Sequence, residues 1–176
     1  MTLAAGFKFE HPKPVGVSPI FLLSDSRYSK GDGEVHRDDG QKIWTLAKNV
    51  FAAFAGEVHL AQRALESVRI RLARSPSGSF DDLKDIFTSA FDKTLRDSGP
   101  QQPHCIVAAM ASDGSSKLFY LRPTAVRYEV TERTDIVIGL RNLEPILRQK
   151  IAQPPMGPGP LPPETLHIST WWLLAE

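Results

Sequence analysis

The stretch Gln41 to Gly56 (QKIWTLAKNVFAAFAG), followed by Glu57 to Arg74 (EVHLAQRALESVRIRLAR), changes its apolar period part-way along. Gln41 to Leu46 and Val50 to Ala55 are short apolar runs on either side of Ala47-Lys48-Asn49, and they predict a β-hairpin. From Glu57 onward Val58, Ala61, Leu65, Val68 and Leu72 recur at spacings of 3, 4, 3 and 4. That period predicts a helix with one apolar face, its other side carrying Arg63, Glu66, Arg69 and Arg74, so it must pack on something flat.

Upstream, Leu3 to Phe9 and Ile20 to Leu23 read as strands, and the proline-rich His11 to Pro19 between them reads as a loop. Ser29 to Gly40 reads as a polar loop, so four strands are expected before the helix. Downstream, Ser75 to Gly78 breaks the helix. Ser79, with Asp82 three residues on, predicts the N-cap of a second helix that buries Leu83, Phe87, Phe91 and Leu95.

Strands are expected again over Cys105–Ala111, Lys117–Leu121, Val126–Val130 and Asp135–Ile138, with a turn at Asp113-Gly114-Ser115-Ser116. Strands in a run, then helices in a run, exclude alternating βαβ units and favour antiparallel sheets with segregated helices, an α+β class. A third helix is expected from about Asn142 to Ala152, with Pro145 in its first turn. Residues 1–153 thus read as one domain. Residues 154–176 read as a linker and tail: Pro154 to Pro163 holds six prolines and two glycines, and Leu166 to Leu174 is apolar enough to dock as a strand or short helix, on this chain or a neighbour.

Composition narrows the function. Lys and Arg number 21 against 20 Asp and Glu, a net charge of +1 with no like-charge block, so neither nucleic acid nor an anionic membrane is an expected partner. The single Cys105 excludes an internal disulfide, and the five histidines are scattered, so no metal and no cofactor is expected. Met1 to Phe9 lacks a signal-peptide pattern and no run approaches the ~18 apolar residues of a membrane span, which points to the cytoplasm. No Gly-rich phosphate loop and no G-x-S-x-G elbow is present; a Ser-His-Asp triad stays open, since its members need only meet in space.

Thr2, Asp25-Ser26-Arg27-Tyr28-Ser29, Gln41-Lys42-Ile43 and Ala55-Gly56 follow one another at strand starts and ends. This series resembles the catalytic β-type subunits of proteasomes and their bacterial relatives, the N-terminal-nucleophile hydrolases. Members open with a Thr, carry Asp-Ser-Arg-x-Thr/Ser, then a Lys, then Ala-Gly ahead of the first helix. The match runs from Thr2 to about Gly139; the Lys42-to-Gly56 spacing fits without a gap and Asp25-to-Lys42 fits to within one residue. The resemblance implies a four-layer αββα sandwich, its C-terminal part shortened here.

It also implies a chemistry. With Met1 removed, Thr2 would be the nucleophile and its own α-amine, of ordinary pKa about 8, the base. Lys42 would lower the pKa of that amine and stabilise the alkoxide, Asp25 would orient Lys42, and the Gly56 N–H would bind the oxyanion. Ser29 matches a position that binds substrate backbone, Tyr28 and Phe54 match the pocket for the residue before the cut, and Arg27 would support local structure. Peptide or unfolded-protein substrates, a homo-oligomeric ring and an unfoldase or activator partner are implied with it. Two departures stand out: Leu140 where active members place a serine after the glycine, and a short, proline-rich C-terminus. They leave open a catalytically silent structural subunit of the same fold, and a small-amide amidase.

Overall fold

The computed structural model of the chain describes residues 3–8, 20–24, 28–29, 35–37, 41–75, 79–95, 102–139 and 171–172, with the backbone alone at 28–29, 35–37 and 171–172. In chain order the elements are β1 (Ala4–Lys8), β2 (Ile20–Ser24), β3 (Tyr28–Ser29), β4 (Val35–Arg37), β5 (Ile43–Ala47), β6 (Val50–Ala55), α1 (Val58–Arg74), α2 (Phe80–Leu95), β7 (His104–Met110), β8 (Ser116–Pro123), β9 (Tyr128–Glu132), β10 (Asp135–Ile138) and β11 (Trp171–Trp172).

Two antiparallel sheets pack face to face. One runs β5-β6-β7-β8-β9, a meander interrupted by the helical pair; the other runs β10-β1-β2-β11. β6 (VFAAFA) is apolar without alternation because both of its faces are covered. Ala52 and Phe54 join Val107, Phe119 and Leu121 against Leu65, Val68, Leu83 and Phe87 of the helices. Ala53 and Ala55 point the other way and join Ile106, Ala108 and Leu118 against Ala4, Ile20, Leu22 and Ile138 of the second sheet.

The helices form as their periods predict. Leu60, Ala61, Ala64, Leu65, Val68 and Leu72 of α1 are buried, and the last turn carries Arg71 and Arg74, which suit the negative end of the helix dipole. α2 opens on the expected cap, the Asp82 N–H donating to Ser79 Oγ at 3.1 Å. Both helices lie on the five-stranded sheet, chiefly α1 on β5 and α2 on β9. The described residues therefore make three layers: helices, five-stranded sheet, four-stranded sheet. On the far face of the four-stranded sheet Ala5, Phe7 and Val137 form a further small apolar cluster, 4, 5 and 8% exposed.

Two expectations needed correction. The polar segment taken as one loop contains the β3–β4 ribbon, so six strands and not four precede α1. β9 starts at Tyr128 and not at Val126, because Thr124 closes a turn on Arg127 (backbone N–H to O 2.9 Å), leaving Val126 83% exposed at its tip. The tail docks as one of the expected alternatives, a strand on this same chain, Trp171 and Trp172 pairing with Leu22 and Phe21 of β2. The expected third helix and the proline-rich linker lie outside the described residues.

Candidate active site

The register collects the chemistry-bearing positions at sheet ends. In the four-stranded sheet Ala4 at the head of β1 lies opposite Ser24 at the end of β2 on one side and Ile138 at the end of β10 on the other. Thr2 and Asp25 adjoin this row in sequence but, with Arg27, lie outside the described residues. Tyr28 and Ser29 pair through their backbones with Arg37 and Val35.

In the five-stranded sheet one end is formed by the start of β5, the end of β6, the start of β7 and the start of β9: Ile43 pairs with Ala53, Ala55 with His104, and Pro123 with Tyr128. Lys42, one residue outside the Ile43–Ala53 pair, is 1% exposed. An ammonium withdrawn from water this far must be compensated, and Lys42 does take part in a hydrogen bond, ion pair, ring contact or electrostatic interaction. Gly56 turns the chain from β6 into α1 at φ 111°, a backbone conformation that L side chains rarely adopt. A Cβ there would meet the Gln102 carbonyl oxygen at 2.8 Å and Pro103 Cα at 3.0 Å. A second glycine, Gly139, just after β10, has φ 115°. Phe54 is 0% exposed and belongs to the core between this sheet and the helices.

Two interactions at this end have no counterpart in the motif. His104 Nδ1 and Tyr120 Oη lie 2.7 Å apart, with the two rings stacked at 5.9 Å between centroids. Tyr120 packs against the inter-sheet core, and His104 is the residue opposite Ala55. On the helix side the Tyr128 hydroxyl donates to the Pro103 carbonyl oxygen at 2.9 Å. No local pattern marks either pair; both follow from strand register, which a single sequence does not print.

Cys105 is 0% exposed, and burial pushes its thiol far above the ordinary cysteine pKa, so the reactive thiolate is not populated. Among the described residues no group of three or more His, Cys, Asp and Glu could hold a metal ion, and no helix is long and apolar enough to cross a membrane.

This architecture, with a buried lysine and a positive-φ glycine at one sheet end, meets its decisive comparison in the family model for proteasome subunits, which matches residues 18–145. The chain belongs to the proteasome subunit family. The matched span includes Asp25, Lys42, Gly56 and Gly139 and begins after β1. No curated protein matched the chain. Proteasome subunits comprise peptidases and structural subunits, so the family leaves two roles to choose between.

Proposed function

We propose that the protein is a threonine-type peptidase of a proteasome-like ring, with Thr2 as its nucleophile once Met1 is removed. The observation that carries this reading is Lys42, 1% exposed, at the same sheet end as Gly56 with its φ of 111°. Burying a lysine is costly, and a purely structural strand start has no need of one.

In the proposed reaction the Thr2 hydroxyl attacks the scissile carbonyl carbon while its proton passes to the Thr2 α-amine. The carbonyl oxygen becomes an oxyanion that accepts a hydrogen bond from the Gly56 N–H. Lys42 favours the neutral, basic amine and the developing alkoxide, and Asp25 orients Lys42. Collapse of the intermediate returns the proton to the leaving amine and leaves an ester on Thr2. Water, deprotonated by the same amine, then cleaves the ester and restores the hydroxyl. Ser29 and Tyr28 would line the substrate cleft, and Phe54 would shape it from beneath.

Leu140, where active relatives of the resemblance carry a serine, favours a second reading, a catalytically silent ring subunit. Intact-mass measurement and turnover of a fluorogenic peptide decide between the two. A peptidase loses Met1, and Thr2→Ala abolishes turnover. Met1 retained together with no turnover supports the silent subunit.

A further inference from the structure

The segment that backs Gly56 is itself held by one described side chain. Gln102 and Pro103 lead into β7, and their backbone is what a Cβ on Gly56 would strike, at 2.8 Å from the Gln102 oxygen and 3.0 Å from Pro103 Cα. The orientation of the peptide plane at Gly56 is therefore set against this segment. The segment's Pro103 carbonyl accepts the Tyr128 hydroxyl at 2.9 Å, a buried bond between residues 25 apart in sequence. Tyr128 is itself held by its surroundings. It is 2% exposed, its ring meets Phe91 edge-on at 5.2 Å, and its backbone N–H donates to Asp92 Oδ1 at 2.6 Å. Burial raises the phenol pKa well above its usual value, so the hydroxyl stays a neutral donor.

We infer that Tyr128 is a positioning residue: by pinning the Pro103 carbonyl it holds the Gln102–Pro103 segment against Gly56 and so keeps the Gly56 N–H aimed at the oxyanion. The inference rests on the proposed function, and it extends the site to a residue on β9, across β8 from the segment it holds. It predicts a loss confined to the transition state, because the substrate in its ground state has no oxyanion to bind.

The test uses the full chain and a fluorogenic peptide, with Tyr128→Phe, Asp92→Ala, Thr2→Ala and a remote destabilised control, Ile86→Ala on α2. Binding of a peptide boronic acid is measured alongside; its boron becomes tetrahedral on the Thr2 oxygen, as the Thr2 proton moves to the amine, and presents an oxygen where the oxyanion forms. In Tyr128→Phe, kcat is expected to fall at least about ten-fold with KM within about two-fold, and boronate affinity to fall in proportion to kcat/KM. Asp92→Ala, which keeps the hydroxyl but frees its backbone, should shift the same quantities in the same direction by less. Ile86→Ala should lower Tm and leave both kinetic constants alone. Should Tyr128→Phe fail to fold, Asp92→Ala carries the test. Unchanged kcat in either folded variant, with Thr2→Ala inactive, overturns the positioning role alone. Full turnover in Thr2→Ala, or no Thr2-dependent turnover in the parent protein, overturns the proposed function and this inference with it.

Discussion

Lys42 and Gly56 sit at one end of the same antiparallel hairpin, Lys42 just before the Ile43–Ala53 pair and Gly56 just after Ala55, which pairs with His104. The hairpin turn at Ala47 to Val50 is at the opposite end, so the fourteen-residue separation in sequence folds back into neighbouring strand termini. One of the two is a lysine removed from water, the other a glycine in a conformation other residues avoid.

Lys42→Ala is expected to abolish peptide turnover, by at least about 10²-fold, and also to destabilise the fold. Removing a side chain that is 1% exposed leaves a cavity among its neighbours, which costs about 2–4 kcal/mol. Urea denaturation measures the second effect and initial rates the first. A stable, fully active Lys42→Ala would return this position to the status of an ordinary strand residue.

Gly56→Ala combines a positive-φ penalty with a 2.8 Å approach to a backbone oxygen that has little room to move. A loss of about 1–3 kcal/mol is expected. Turnover should suffer beyond what the fraction unfolded explains, which is checked by assaying well below Tm.

Phe54 is 0% exposed in the helix-side core, so Phe54→Ala is expected to cost about 3–5 kcal/mol. Phe54→Leu, closer in volume, separates packing from substrate choice. If Phe54 shapes the cleft from beneath, cleavage preference across a panel of peptides shifts in the folded variant; an unaltered preference would make it core alone.

Ser79→Ala removes the Oγ that accepts from the Asp82 N–H. About 1 kcal/mol of stability is expected to go, with kcat and KM unchanged, because the start of α2 lies outside the proposed site. Thermal melts and the peptide assay check the two halves.

The fold was legible where burial imposes a period. α1 announces itself through Val58, Ala61, Leu65, Val68 and Leu72, and β6 through an unbroken apolar run between two covered faces. The β3–β4 ribbon was not legible, since its strands are two and three residues long and its surroundings are polar. Val126 misled because an apolar residue at a turn tip resembles the start of a strand. Of the candidate site, Lys42 and Gly56 were singled out by the resemblance, although a lysine at a strand start gives no sign of being buried. The Tyr128–Pro103 and His104–Tyr120 bonds join residues 25 and 16 apart through strand register, and no local rule exposes them.

The central claim is that Thr2 performs the attack, and the most direct measurement is where a covalent acyl group lands. Incubating the protein with a β-lactone, which acylates a nucleophilic hydroxyl by ring opening, and mapping the product by peptide mass spectrometry should give one adduct, on a Thr2 that has become the first residue. An adduct on a different residue, or peptide turnover by protein that still begins with Met1, would contradict the account.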